Sequence, residues 1–258
     1  MSSHTPSVLD NPGYHSLAGA HAQYARVSGR ARRYEPEVSV FAGVPDDATA
    51  EDWAALAALL QPGEALAVSG RALPEGFAEG GLPEGWAANI GAGLQMTDDG
   101  FVAQPGDGEG LIELGAADVP EMLELIAIAQ PGPFAPRTVE LGGYLGIRID
   151  GRLAAMAGRR VNPEGWVEVS AVATHPDFRG QGLAARVVRG VVAAIRAEGQ
   201  RAFLHSNPAN ETAVHLYERL GFVVRKEVPF AFIFEAPAEV DAEAAADAAS
   251  AASGDETA

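Results

Sequence analysis

The sequence predicts an α+β fold, in which a central mixed, mostly antiparallel sheet is flanked by helices. Apolar residues alternate on both sides of Asp150-Gly151, a dipeptide typical of a tight hairpin turn. A further alternating segment, 167–174, runs through a glycine loop into a long amphipathic helix, 183–197. Apolar residues spaced as in strands and apolar residues spaced as in helices therefore alternate along this part of the chain, as expected when helices cover a sheet.

In the first hundred residues the periodic segments are short. Residues 14–33 are predicted as one interrupted helix, and residues 50–60 as an amphipathic helix whose apolar residues recur at helical spacing. Residues 65–69 and 90–96 have the composition of short buried strands. The segment 71–86 is rich in glycine, proline and glutamate and is predicted as a loop.

From residue 110 onward the pattern is sharper. A short strand is followed by a helix with an apolar stripe, and a hairpin leads into the strand, loop and helix described above. Gly199 ends that helix, and Gly221 ends a later one. The predicted elements are strand 111–114, helix 118–130, strands 140–149, 152–161 and 167–174, helix 183–197, strand 202–205, helix 210–220, and closing strands 222–225 and 230–234.

Composition suggests four segments. We expect residues 1–12 to be a flexible start and residues 236–258, an acidic alanine-rich stretch without aromatic residues, to be a disordered tail. The linker-like Gln104-Pro105-Gly106-Asp107-Gly108 separates a divergent N-terminal domain, 13–107, from a second domain, 109–235. One hypothesis is that the N-terminal domain is a degenerate copy of the second.

The charge balance and the missing cysteines exclude several kinds of protein. The net charge of −17 and a single lysine, Lys226, argue against a nucleic-acid or anionic-membrane partner. With no cysteine there is neither a disulfide scaffold nor a thiolate metal site, and the scattered histidines form no ligand cluster, so we expect no metal. No signal pattern or long apolar run occurs, and a cytoplasmic location is expected.

The run Arg179-Gly180-Gln181-Gly182 lies where a strand pattern passes into a helix pattern. Such a loop presents backbone N–H groups at the positive end of a helix, which suits a phosphate or pyrophosphate. An ordinary strand-to-helix turn is the alternative. A nicotinamide-dependent oxidoreductase is disfavoured, because no acidic ribose partner follows at the required place.

Two motifs resemble those of a known family. Residues 172–184 resemble the acyl-CoA-binding motif of the GCN5-related N-acetyltransferases (GNAT), which ends in (Arg/Gln)-x-x-Gly-x-(Gly/Ala). Residues 210–222 are similar to the family's later pattern Asn-x-x-Ala-x-x-x-Tyr-x-x-x-Gly-Phe. The order of the two motifs agrees with the family, and within it the chain most resembles the FR47-like subgroup. The resemblance covers roughly residues 110–235.

The resemblance implies a GNAT fold and an acyltransferase that uses acetyl-CoA as acyl donor. It also implies which residues contact that donor, through the backbone of the strand, the glycine loop and the start of the second helix. For Asn210, a simple helix N-cap is an equal alternative. The implied acetyl-CoA-binding residues are Val172, Ala173, Thr174, Arg179, Gly180, Gln181, Gly182, Leu183, Ala184, Asn210 and Ala213.

Two residues are candidates for proton transfer. Tyr217 matches the family's tyrosine and could protonate the departing thiolate, although its spacing also suits a core residue. Glu168 is the candidate base, because alternation would place it on one face of the strand with Ser170, Val172 and Thr174. Its alternative is a salt-bridged or solvent-facing glutamate.

The function expected is therefore transfer of an acetyl group from acetyl-CoA to a primary amine by direct attack. No activated serine is apparent that would suggest a covalent acyl-enzyme. The acceptor is a small-molecule or peptide amine, and its specificity is expected to come from loops 131–138, 163–165 and 227–231. The alternative function is a non-catalytic acyl-CoA sensor or interaction module.

Overall fold

The computed structural model describes residues 7–236, which form five α-helices and eleven strands. The helices are α1 (Pro12–Ala18), α2 (Ala50–Ala57), α3 (Val119–Ala129), α4 (Leu183–Ala197) and α5 (Glu211–Arg219). The strands are β1 (Ala25–Ser28), β2 (Ala31–Tyr34), β3 (Phe41–Gly43), β4 (Ala65–Ser69), β5 (Trp86–Thr97), β6 (Ile112–Glu113), β7 (Leu145–Ile149), β8 (Arg152–Arg159), β9 (Trp166–Thr174), β10 (Arg201–Ser206) and β11 (Val223–Glu235).

All eleven strands join in one sheet, in the order β1-β2-β3-β4-β11-β5-β10-β9-β8-β7-β6. Every neighbouring pair is antiparallel except β3 with β4 and β9 with β10. The predicted mixed, mostly antiparallel sheet flanked by helices is therefore confirmed.

The two parallel pairs occupy equivalent places in the two halves of the chain. In each half a hairpin leads to a strand, a helix crosses over, and a parallel strand follows, with α2 and α4 as the crossover helices. The two halves exchange their last strands. β5, from the N-terminal half, lies between β10 and β11 of the C-terminal half, and β11 lies between β4 and β5 of the N-terminal half. The sheet thus runs unbroken across the predicted boundary at residues 107–109.

Several predicted elements need correction. Residues 14–33 do not form one helix, because Gly19 ends α1 and Gly29, with φ +54°, makes the hairpin turn between β1 and β2. Residues 138–141 form a 3₁₀ turn rather than strand, and Gly142 and Gly143, both with positive φ, separate it from β7. The two predicted closing strands are one strand, β11, with an irregularity between Val224 and Lys226.

The expected flexible start is wrong for residues 7–12. Leu9 and Asn11 are almost completely buried, and the Asn11 amide donates to the Val44 carbonyl, 2.8 Å away. Residues 10–14 pack tightly against the ends of β3 and β4, since a Cβ on Gly43 would lie 2.7 Å from Cβ of Tyr14 and one on Gly70 would lie 2.5 Å from the Asp10 carbonyl oxygen. The expectations for residues 1–6 and for most of the tail, 237–258, fall outside the described residues.

The core beside the glycine loop is built on α4. Its buried face packs against β8, β9 and β10, and the residues of that face recur at helical spacing, as predicted. These contacts fix the start of α4 relative to β9, which is what positions the loop between them. The buried residues of α4 are Leu183, Val187, Val188, Gly190, Val191, Val192 and Ile195.

A buried histidine gives the fold a predicted pH dependence. Nδ1 of His21 lies 2.8 Å from the Tyr34 hydroxyl and 3.0 Å from the Ser16 hydroxyl, and burial lowers the pKa of His21 to about 4. The unfolded chain binds this proton near pH 6.5. We therefore expect the unfolding free energy to fall as the pH drops from about 6.5 to about 4, by up to about 1.4 kcal/mol per pH unit from this group.

Denaturant unfolding of the wild type and of His21→Gln across that pH range measures the effect. The variant is expected to show a shallower slope, because glutamine cannot take up the proton. Parallel slopes for the two proteins would contradict the assignment.

Candidate functional site

The loop between β9 and α4 has the geometry of an anion site. Gly180 and Gly182 have φ +76° and +72°, a left-handed conformation that favours glycine, and a Cβ on either would meet nothing within 4 Å. The amides of the first turn, from Leu183 to Ala185, have no intrahelical acceptor, and the first such bond runs from Arg186 N to the Gly182 carbonyl. The loop therefore offers free N–H donors, open space and a helix N-terminus together.

Next to this loop the sheet opens. β9 and β10 pair only at three positions, ending with Glu168 opposite Phe203, although both strands continue. Beyond that point the strands diverge, and the backbone of β9 has no neighbouring strand on the β10 side among the described residues. Polar backbone groups in such a gap are available to a ligand.

A chamber of about 810 Å³, here called the donor chamber, extends from this gap to the loop. Its wall includes almost every residue that the sequence predicts for acetyl-CoA binding; of those, Gln181 alone is not part of it. The hydroxyl of Thr174 is buried without a hydrogen-bond partner in the described structure, which leaves it available to a ligand. The predicted residues in the wall are Val172, Ala173, Thr174, Arg179, Gly180, Gly182, Leu183, Ala184, Asn210, Ala213 and Tyr217.

Arg219, which was not predicted from the sequence, lines the same chamber from the last turn of α5. Neither Arg219 nor Arg179 makes an ion pair with any residue of the described range, whereas most other arginines of this acidic chain have carboxylate partners. Two unpaired guanidinium groups on one chamber suit an anionic ligand with several phosphates. Only its spacing could have indicated Arg219 in the sequence, since it lies one turn after Leu216 and nearly two turns after Ala213.

Tyr217 lies where the donor chamber meets a second chamber and lines both. Its ring packs edge-on against Phe222, with centroids 6.0 Å apart, and burial raises the pKa of Tyr217 to about 12. The hydroxyl forms no hydrogen bond to any described residue. Tyr217 thus packs like a core residue. Its phenol stays protonated and lines the two chambers.

Asn210 combines the two roles between which the sequence left a choice. Its Oδ1 accepts from the amide of Ala213 at 3.0 Å and so caps α5. Asn210 also lines the donor chamber. Since the cap uses only the side-chain oxygen, the Nδ2 group stays available to a ligand.

Glu168 lies outside the donor chamber, in a buried ion pair. Its carboxylate accepts from Arg160 at 2.5 and 2.8 Å and lies 2.7 Å from His205 Nδ1. Burial raises the pKa of Glu168, but the Arg160 guanidinium and the His205 contact outweigh it and hold the pKa at about 2. The structure thus favours the salt-bridged alternative, since so weakly basic a carboxylate is poorly suited to take a proton from an amine.

A bulge in β9 explains why simple alternation misplaces Glu168. Ala171 has φ +52°. Between Ser170 and Ala173 strand β9 advances three residues while the paired part of β8 advances two, which leaves one extra residue in β9. The extra residue reverses the alternation, so that Val167 and Val169 share the α4-side core with Val172. The expectation that Glu168 shares a face with Val172 and Thr174 is therefore wrong.

Removing the charge of Glu168 from this buried ion pair is expected to lower stability strongly. In Glu168→Gln the Arg160 guanidinium would stay buried without a countercharge, and we expect a loss of about 3–5 kcal/mol of unfolding free energy at neutral pH. Denaturant unfolding measures it, and the exposed pair between Arg152 and Asp177 provides the control, since Asp177→Asn should change stability by less than about 1 kcal/mol. Similar small losses in both variants would show that the buried pair contributes little.

Within residues 7–236 no group of three or more histidine or acidic side chains is arranged to hold a metal ion. Over the same range, none of the helices has the length and apolar character needed to cross a bilayer.

Comparisons with known proteins agree with this geometry. The family model for FR47-like proteins matches residues 144–231. A crystal structure from Novosphingobium aromaticivorans, assigned to the GNAT family of acetyltransferases, is 38% identical over 90% of this chain and 100% of its own, with a TM-score of 0.79. A GCN5-related N-acetyltransferase from Kribbella flavida is 20% identical over 87% and 96%, with a TM-score of 0.54, and shares the fold. Comparison with proteins of curated function found no match to the chain.

Proposed function

Since this chain belongs to the GNAT family of acetyltransferases, we propose that it transfers an acetyl group from acetyl-CoA to a primary amine by direct attack. The observation that carries the proposal is the donor chamber. There, the free amides of α4, two unpaired arginines and the open edge of β9 meet beside a protonated tyrosine.

Each part of the chamber has a role in this proposal. The amides after Gly182, with Arg179 and Arg219, hold the phosphates. The backbone of Val172, Ala173 and Thr174 aligns the pantetheine arm, and one of its N–H groups stabilises the charge that develops on the thioester oxygen. Acetyl-CoA supplies the activated acyl group. Tyr217 donates its proton to the departing sulfur.

The remaining proton is that of the acceptor amine. Glu168, our sequence candidate for the base, is held ionised with a pKa of about 2. We infer that the amine enters in its neutral form, because a desolvated cleft disfavours an ammonium ion. After attack its nitrogen loses one further proton to become an amide, and that proton restores the Tyr217 phenolate left by protonation of the sulfur, so that no separate side-chain base is needed. The rate should then rise with pH toward the pKa of the amine used, and should shift when an amine of different pKa is used.

We also propose that the N-terminal half is a degenerate copy of the same unit. The matching order of elements and the exchange of β5 and β11 support this. The copy has no Arg-x-x-Gly-x-Gly loop before α2, and residues 10–14 fill the space at the ends of β3 and β4. One molecule of acyl-CoA per chain is therefore expected.

A coupled assay tests the function directly. Release of the coenzyme A thiol is followed with acetyl-CoA and a panel of amines, and the acetylated product is identified by mass spectrometry. Amine-dependent thiol release with matching product is expected. Saturable acetyl-CoA binding without transfer to any amine would instead favour the sensor alternative.

A further inference from the structure

Beside the donor chamber lies a second cavity of about 530 Å³, here called the acceptor chamber. The two chambers share wall residues, among them Val172, Ala213 and Tyr217. An amine in the acceptor chamber would thus be next to the backbone that aligns the thioester. The volume suits a small molecule.

One side of the acceptor chamber is apolar, while the remaining wall carries uncharged polar side chains such as those of Gln130, Ser170 and Asn207. Phe41 and Phe230 come from opposite halves of the chain and form an edge-on ring pair, with centroids 6.4 Å apart. Pro131 and Pro133 line it from the loop after α3, while Ala92 lines it from β5. Such a wall favours an aromatic or aliphatic substrate body.

The charged side chain at this wall already has a partner of opposite charge. Among the residues that the structure describes, no carboxylate lines the acceptor chamber, and Arg160 is the one charged side chain that does. Its guanidinium is bound to Glu168 and stacks over the Phe41 ring at 4.4 Å. No free charge is left to pair with a second charge on a substrate.

Both ring nitrogens of His205 are engaged by neighbouring side chains, so neither is free to bind a charged group of the substrate. Gln95 donates through Nε2 to the Leu9 carbonyl at 2.8 Å, and its Oε1 accepts from Arg225 at 2.7 Å. The Gln95 amide must therefore present a donor to His205 Nε2, 3.1 Å away. The Nε2 atom accepts, and Nδ1–H donates to Glu168.

We propose that the acceptor is a primary amine on an otherwise uncharged, apolar or aromatic body, of the arylalkylamine class. An amino acid would bring a carboxylate, and a polyamine further ammonium groups, into a chamber with no partner for either. This inference rests on the proposed acetyl transfer and gives it a substrate class.

The first test compares three acceptors under identical conditions: 2-phenylethylamine, phenylalanine and spermidine. We expect kcat/KM to be higher for 2-phenylethylamine by roughly 100-fold, because the others bury an unpaired charge. Equal or faster acetylation of phenylalanine or spermidine would overturn the inference while leaving acetyl transfer established. Absence of transfer to every amine would instead mean that the proposed function itself fails.

A pair of variants on β5 tests the chamber independently. Ala92 is exposed and lines the acceptor chamber, so Ala92→Asp adds an unpaired carboxylate there without disturbing the core. We expect it to lower kcat/KM for 2-phenylethylamine and to raise it for 1,4-diaminobutane. Asn89→Asp is the control, because Asn89 is an exposed residue of the same strand that does not line the chamber. Identical behaviour of the two variants would contradict the assignment.

Discussion

Gly182→Glu is expected to weaken acetyl-CoA binding by at least about 100-fold, equivalent to about 2.8 kcal/mol. Gly182 precedes the first turn of α4, and its φ of +72° leaves the space where a Cβ would stand open to a ligand. A glutamate would place a side chain and a negative charge where the phosphates are proposed to bind. Calorimetric titration measures the change in affinity.

Gly199→Glu provides a matched control for this variant. Gly199 follows the other end of α4, has φ +77° and likewise has nothing within 4 Å of its added Cβ. The two variants carry the same charge change and the same left-handed strain, so only the position relative to the loop differs. Equal affinities for acetyl-CoA in both variants would remove the phosphate-binding role of the loop.

Tyr217→Phe is expected to lower kcat by about 100-fold or more, the contribution typical of general acid catalysis. The change removes one hydroxyl that has no hydrogen-bond partner in the described structure, so packing and acetyl-CoA affinity should hardly change. Since burial raises the pKa of Tyr217 to about 12, the proposed acetyl transfer by the wild-type protein should not be reduced through tyrosine ionisation between pH 7 and 10. Steady-state kinetics and titration measure the two effects separately.

Tyr144→Phe serves as the comparison. Tyr144 is also a buried tyrosine, but it lies in the core beneath α3 and donates its hydroxyl to the Arg159 carbonyl at 3.0 Å. Its loss should reduce stability while kcat stays close to that of the wild type. If Tyr217→Phe also kept full turnover, Tyr217 would be a packing residue and the acid would have to be found elsewhere.

The C-terminal half could be predicted because its signals are local. The apolar stripe of α4, the turn at Asp150-Gly151 and the glycines at 180 and 182 each depend on a few neighbouring residues, and the structure places them as expected. The bulge at Ala171 could not be predicted in this way. Alanine has no preference for positive φ, and the bulge depends on pairing with β8.

The structure of the N-terminal half was harder to predict because it depends on contacts between residues far apart in the sequence. The irregular segment 7–12 is held by its packing against β3 and β4 and by Gln95 and Arg225, far away in the sequence. Likewise, no local pattern indicates that β5 would separate β10 from β11. The acceptor chamber follows from the same contacts, since Phe41 and Ala92 reach it only through this arrangement.

The central claim is that the donor chamber binds acyl-CoA, and calorimetric titration of the full chain with acetyl-CoA tests it most directly. Coenzyme A and NADH are the comparison ligands. We expect saturable binding of acetyl-CoA and coenzyme A, one molecule per chain, and none of NADH. No binding of acetyl-CoA by folded protein would contradict both the enzyme and the sensor interpretations, and two molecules per chain would show that the N-terminal half retains a site.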